Sequence, residues 1–486
     1  MKLNFRFLFL AFAMLVVAAC ARNPVTGERE FMLVSTEQEV AMGQQYDPVI
    51  VAQFGLYNED EALLNFVKAK GQEMAAVSHR SELNYTFRIV DSPIVNAFAV
   101  PGGYVYFTRG IMAHFNSEAE FAGVLGHEIG HVTARHSAKQ MSNQQLAQIG
   151  LIGGSIFSET VRNYGNVAAQ GLQLLFLKNG RDAERQSDEL GVEYSSRIGY
   201  DADEMADFFG TIARLQEQSG GAIPNFLSTH PDPGERQGRV KELATEWQQK
   251  LAGKNFVVNR NEYLQRIDGI IIGEDPRQGY VQSSKFYHPQ LKFRFDVPNS
   301  WNVANSPSQV QIASPDQNAV VIMALAQANS LEAAAQNDIQ QNNLNVISSD
   351  RIQINGNDAI AMLSEVQQQG ANGQPGQALS VYSYFIDYGG NIYQFHGLSL
   401  RQNFSRYQNA LKSVPLSFAR LTDPSKLNVR PDRLDIVAAQ SSTTLQEILR
   451  QYNVPADRYN EFSILNGMQL NDRVPAGMMV KVLQRN

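Results

Sequence analysis

The clearest chemistry in the sequence is carried by His127-Glu128-Ile129-Gly130-His131. Residues four apart share one face of a helix, so both imidazoles can reach a single ion. Zinc takes imidazole nitrogen at about 2.0–2.1 Å, and catalytic zinc sites use three protein ligands and a water. Glu128 stands beside the pair, able to take a proton from that water. A third ligand has to come from elsewhere. One known spacing puts Gly at 134 and His at 137, but Ala134 and Ser137 stand there and exclude it. His136, one position out of that register, reads as structural. Downstream, Arg181 to Asp188 supplies carboxylates: Glu184 and Asp188 are four apart on one helical face. Glu184 is the expected ligand, with Asp188 behind it fixing an imidazole tautomer. The cofactor expected is one Zn2+ per chain.

These residues need rigid supports. Ser117 followed three residues later by Glu120 is a capping-box pair, which starts a helix through the His127–His131 motif. Gly180 to Ile198 reads as the helix carrying Glu184 and Asp188, and Glu204 to Gln218 as another. Ser35-Thr36-Glu37-Gln38-Glu39 opens a further helix, and Glu61 to Ala76 continues the pattern. Tyr85–Val90 and Gly103–Thr108 alternate as strands. Gln148–Asn179, rich in glycine and apolar residues, reads as a packed helix pair rather than a mobile flap.

The rest of the 486 residues bounds the function. A net charge of −7 gives no basic footprint for nucleic acid, and a mean hydropathy of −0.28 excludes a polytopic membrane protein. Five of eight histidines lie between residues 114 and 230; His288 and His396, outside that stretch, read as structural. The one cysteine excludes an internal disulfide and a cysteine-bound metal. Lys2 and Arg6 precede thirteen apolar or small residues, Phe7 to Ala19, directly before Cys20, the pattern of a secretory leader and too short to span a bilayer. Val17-Ala18-Ala19-Cys20 resembles the lipobox of bacterial lipoproteins. That resemblance implies cleavage before Cys20, lipidation of its thiol and, with Ala21 following, residence on the outer membrane facing the periplasm.

Asn96-Ala97-Phe98-Ala99-Val100-Pro101-Gly102-Gly103, the 127–131 motif, Glu184 with Asp188, and Ser228-Thr229-His230-Pro231 occur in that order. Together they resemble the CAAX-protease/HtpX/BepA/LoiP family of zinc metallopeptidases, gluzincins in which a glutamate completes the ligand set, over residues 35–270. The periplasmic lipoprotein branch is the one the chain is similar to. The resemblance implies ligands His127, His131 and Glu184, and Glu128 as the base. It places His230 facing the metal, either stabilising the oxyanion or occupying the water position. Arg236 would pair with an acid, Asp188 being the candidate. Asn96, Ala97, Phe98 and Ala99 would form an edge strand on which an extended peptide adds.

The expected fold is therefore multidomain α+β. A signal peptide (1–19) and a tether (20–34) precede a mainly helical zincin-type metallopeptidase domain with a small sheet (35–270). An α/β sandwich of unknown role follows (280–423). Residues 431–486 resemble a LysM module, a small βααβ domain that binds peptidoglycan, although Ser442-Thr443 replace its usual Gly-Asp. The expected function is a membrane-anchored periplasmic endopeptidase acting on misfolded or misassembled envelope proteins. The alternative is an outer-membrane assembly chaperone or scaffold with a mostly closed zinc site, tethered to peptidoglycan.

Overall fold

The computed structural model describes residues 20–142, 179–218, 225–231, 233–369 and 375–484. The expected leader (1–19) and most of the Gln148–Asn179 segment lie outside them.

The stretch read as a polar tether is a hairpin, β1 (Cys20–Arg22) on β2 (Arg29–Phe31). Its turn is closed by Asn23, whose side chain accepts from Val25 N. Met32 and Val34, apolar positions in a segment read by its polar average, are buried against Ala138. Ser35 then caps α1 (Thr36–Phe54) in a full capping box with Gln38. Asp60 caps α2 (Glu61–Ala76).

A three-stranded sheet follows, ordered β3 (Thr86–Val90), β5 (Tyr104–Thr108), β4 (Ala97–Val100). The first pair is parallel and the second antiparallel, so β4 lies at an edge. Thr108 caps the short α3 (Arg109–His114). Ser117 caps α4 (Glu118–Thr133) by accepting from Glu120 N. The capping box is only half made there, because the Glu120 carboxylate takes the N–H of Asn116 instead of that of Ser117. Phe107, Phe115, Phe121 and Tyr263 pack as an aromatic cluster behind α4.

Helix α5 (Arg181–Arg197) crosses α4 closely, and α6 (Glu204–Gln218) and α7 (Pro233–Lys250) complete the helical part. The crossing depends on glycine. A Cβ at Gly126 would lie 2.8 Å from the Gly191 carbonyl oxygen, so no larger residue fits without separating the two helices. That contact brings the carboxylates of α5 onto the histidines of α4.

Beyond residue 279 lies a seven-stranded antiparallel sheet built from β9 (Asn302–Asn305), β10 (Gln309–Ala313), β11 (Ala319–Leu325), β12 (Asn345–Ile354), β13 (Asn357–Gln369), β14 (Pro375–Tyr388) and β15 (Asn391–Leu400), in the order β12-β13-β14-β15-β11-β10-β9. Gly389 and Gly390 both take positive φ, 63° and 81°, which makes the tight β14–β15 turn. Helix α8 (Leu331–Asn342) covers one face. The other face packs on α9 (Phe404–Leu416) and on strands β7 (Lys285–His288) and β8 (Phe293–Asp296), with β6 (Tyr280–Gln282) paired to β7.

In the tail, β16 (Leu434–Ala438) pairs antiparallel with a strand at Met479–Leu483, with α10 (Leu445–Gln451) and α11 (Tyr459–Leu465) between them. The sequence presents this tail as a separate unit. In the fold, Leu445, Phe462 and Val482 belong to the same buried cluster as Phe115 and Phe121. The apolar residues of so short a segment cannot be enclosed by the segment alone, and they close against the helical part.

Candidate metal centre

Helix α4 presents His127, Glu128 and His131 on one buried face, and α5 presents Glu184 and Asp188 opposite. His230 follows a short helical turn, Asn225–Thr229, and Arg236 lies in α7. His127, His131, Glu184 and His230 converge with their ligand atoms all within 4.8 Å of one another. His127 Nε2 stands 3.0 Å from His131 Nε2 and 3.2 Å from His230 Nδ1. Glu184 Oε2 is 3.5 Å from His127 Nε2, and Oε1 is 3.4 Å from His131 Nε2 and 3.2 Å from His230 Nδ1.

These separations test the metal. Donors around a tetrahedral zinc, each at about 2.0–2.1 Å, are about 3.3 Å apart. Three imidazole nitrogens and a carboxylate, all buried and aimed at one another, fit that requirement, and the donor set is one that zinc accepts. The carboxylate remains charged in this interior. Burial pushes the Glu184 carboxyl upward, but facing His230, the hydrogen bonds from His131 and His230, and nearby Arg236 outweigh it and hold it well below the usual range.

Behind the donors, Asp188 Oδ1 lies 2.9 Å from His127 Nδ1. Arg236 grips Asp188 from two nitrogens, Nε donating to Oδ2 at 2.7 Å and Nη2 to Oδ1 at 2.6 Å. Burial raises the Asp188 pKa, yet the Arg236 charge and hydrogen bonds bring it below its ordinary value. Burial lowers that of His127 despite Asp188, which keeps its ring neutral and able to ligate. Both Glu128 carboxylate oxygens are buried and make no hydrogen bond among the described residues. His230 lies closest among their ion-pair neighbours, its Nε2 3.6 Å from Oε1. A buried carboxylate left without partners is costly, and its position beside the donors suits a group that a substrate or water completes.

Residues 63–244, which contain all of these side chains, match the sequence profile of peptidase family M48. The chain carries an M48 peptidase domain. Over 222 residues it is 29% identical to the putative beta-barrel assembly-enhancing protease of Vibrio cholerae, covering 44% of this chain and 46% of that protein. Identity to the mitochondrial metalloendopeptidase OMA1 of Arabidopsis thaliana is 30% over 194 residues, 40% and 38% of the two chains. The beta-barrel assembly-enhancing protease of Escherichia coli is 26% identical over 234 residues, 46% and 47%. The chain thus spans less than half the length of these relatives. Zinc is the metal of M48 peptidases, and the buried His127–His131–Glu184–His230 group is where one ion fits.

The other residues singled out from the sequence are placed as follows. Asn96 is buried, and Ala97, Phe98 and Ala99 lie in β4. Phe98 stacks on Tyr106 at 4.9 Å between ring centroids. Ala99 and Val100 share a small cleft with His131, so this edge of the M48 sheet borders the centre. Cys20 is placed by its backbone, paired with Phe31. His288 Nδ1 accepts from Leu291 N at 3.2 Å. Buried His396 meets Ser383 Oγ at 3.1 Å, and that hydroxyl donates to Asp338 Oδ2 at 2.9 Å. There the serine bridges acid and imidazole, so the histidine does not stand between the two as a base would. The sequence reading left out Gln186 and gave His136 no part in the centre. The signal available for them was the proximity of both to the motif residues.

Proposed function

We propose that this protein is a zinc endopeptidase of the bacterial cell envelope, held to the outer membrane through a lipidated Cys20 and hydrolysing unfolded or misassembled envelope proteins. The observation that carries the peptidase reading is the convergence of four buried donors beside the unpartnered Glu128 carboxylate. The relatives named as assembly-enhancing proteases of beta-barrels support envelope proteins as the substrate class. Among the described residues no helix is long and apolar enough to cross a membrane, and the anchor reading rests on the Val17–Cys20 motif.

His127, His131 and Glu184 would hold the ion, and the chemistry supplied by a zinc held there would be Lewis-acid polarisation of a peptide carbonyl and a water whose pKa falls toward about 7. Glu128 takes the proton from the attacking water and later delivers it to the leaving amine. Asp188, clamped by Arg236, holds the proton on His127 Nδ1 and so leaves Nε2 free to ligate. The outer edge of β4 offers its backbone to an extended substrate, which fits a peptidase that reads sequence loosely.

The test is the purified full chain with an unfolded beta-barrel polypeptide. Cleavage should stop on chelation and return with zinc; cleavage that survives full chelation overturns the reading. Glu184→Gln is expected to lower zinc affinity about tenfold or more, as loss of a charged ligand should, measured by competition with a chromophoric chelator.

A second reading is favoured by His230. Its Nδ1 lies as near to Glu184 as a fourth ligand would, which describes a closed centre and a chaperone or scaffold whose peptidase is at rest. His230→Ala is then expected to increase peptide hydrolysis. A decrease assigns His230 instead to support of the oxyanion. The tail, if it retains the glycan binding of the module it resembles, would add a tether to peptidoglycan, measurable as co-sedimentation with sacculi.

A further inference from the structure

We propose that His136 and Gln186 are positioning residues of the metal centre, forming a proton-ordered relay that fixes His131 in the tautomer that can ligate. The proposal rests on the zinc-site reading above and extends it to residues that touch neither metal nor substrate.

The direction of the relay follows from hydrogen-bond bookkeeping. To ligate an ion among the convergent donors, His131 must present the lone pair of Nε2, the nitrogen that faces His127 Nε2 and Glu184 Oε1, so with the ion bound the ring proton sits on Nδ1. His131 Nδ1 lies 2.9 Å from His136 Nδ1. Two ring nitrogens at that distance attract only if one of them carries a proton and the other does not. His136 Nδ1 is therefore the acceptor, which puts the His136 proton on Nε2. That nitrogen faces Gln186 Oε1 at 3.0 Å, an oxygen able to receive it. Ser187 Oγ also approaches His136 Nδ1, at the longer distance of 3.3 Å. Every proton in the chain from Gln186 to His131 is thus assigned, and the oxygen of Gln186 sets the order.

The backbone builds this contact. In a continuous helix, a residue five positions on is rotated by about 140° from the first and cannot face it. Helix α4 ends instead at the Ala134 cap, and Arg135 takes φ 59°, a left-handed conformation uncommon for a residue with a side chain. Arg135 is held there by Nε donating to Glu39 Oε2 at 3.1 Å and Nη2 donating to the Val34 carbonyl at 2.7 Å. Glu39 also receives Arg80 Nη2 at 2.9 Å, and Arg80 Nη1 donates to the Val132 carbonyl at the end of α4. The reversal at Arg135 returns His136 alongside His131, ring centroids 5.0 Å apart and planes at 73°. The two ligands of α4 are consequently oriented by different chemistry, His127 by a clamped carboxylate and His131 by a neutral imidazole backed by an amide.

Gln186 is half-buried on α5, so it can be changed without opening the core. Gln186→Glu keeps an acceptor oxygen. Gln186→Lys offers only donors; it drives the His136 proton to Nδ1, against the N–H of His131. Zinc affinity of the purified full chain, read by chelator competition, is expected to stay within about threefold for Gln186→Glu and to fall about 10–100-fold for Gln186→Lys, the usual cost of losing an outer partner. Thermal unfolding of the metal-free variants should match that of the metal-free wild type, which separates positioning from folding. Imidazole nitrogen shifts of the zinc-loaded wild type should show His131 protonated on Nδ1 and His136 on Nε2. Wild-type affinity in Gln186→Lys, or a His136 proton on Nδ1, overturns the relay. A wild type that takes up no zinc overturns the site reading in the first titration, and the relay falls with it.

Discussion

Glu128→Gln is expected to keep zinc bound and to lower peptide-bond hydrolysis about 10²–10⁴-fold, the range that a positioned acid–base group supplies. The two residues are nearly isosteric, and Glu128 is not among the convergent donors, so the ion retains its ligands. What is lost is the capacity to take a proton. Both carboxylate oxygens are buried and make no hydrogen bond among the described residues, so the change breaks none. At about 1.4 kcal/mol per tenfold, the loss corresponds to about 3–5 kcal/mol of transition-state stabilisation. It should appear in kcat/KM on an unfolded substrate, with zinc content measured on the same sample. Turnover within about threefold of wild type would exclude Glu128 as the base.

Lys481→Met is expected to destabilise the protein by about 2–4 kcal/mol. Lys481 is fully buried, and its ammonium donates to the carbonyls of Ala113, Phe115 and Leu465 at 2.9, 2.8 and 2.7 Å. Burial pushes its pKa well below the ordinary lysine value, and nearby Glu120 opposes that push. Burial likewise raises the Glu120 carboxyl to about 8, against the influence of the Asn116 N–H and Lys481. Methionine fills the same space but leaves three carbonyls in the interior without a donor, each costing about 1–3 kcal/mol, offset in part by no longer burying a charge. Ala113 and Phe115 lie at the end of α3, directly before the start of α4, so the change loosens the seat of the zinc helix. The measurement is urea unfolding of the full chain with and without zinc. An unchanged midpoint would show that the carbonyls find other partners.

These two residues also mark what the sequence could disclose. The positions of His127, Glu128 and His131 follow from helical period alone, a local property, and the same spacing puts Glu184 and Asp188 on one face. The Ser117 cap was legible for the same reason: it is decided within four residues. Lys481 was not legible. Val480-Lys481-Val482 has the form of a strand with an outward lysine, and only the packing of the tail against α3 and α11 turns it inward. His136 was set aside because it falls one position out of a known motif spacing; what brings it beside His131 is the left-handed turn at Arg135, which spacing does not disclose. The ion pairs that hold Arg135 there come from Glu39, far off in sequence. The four convergent donors needed a third element, the turn before His230, whose placement depends on α5 and α7 packing together.

The seat of α4 has a temporal consequence. Phe115 and Lys481 are 366 positions apart, yet the second completes the surroundings of the first. A ribosome delivers the four convergent donors long before it delivers this lysine. Until then α4 lacks the three-carbonyl anchorage, and the apolar faces that later enclose the tail remain exposed to water. Completion of the metal centre's surroundings is therefore tied to arrival of the distal segment. A partly synthesised chain carries all four convergent donors, but not the assembly that holds them in place.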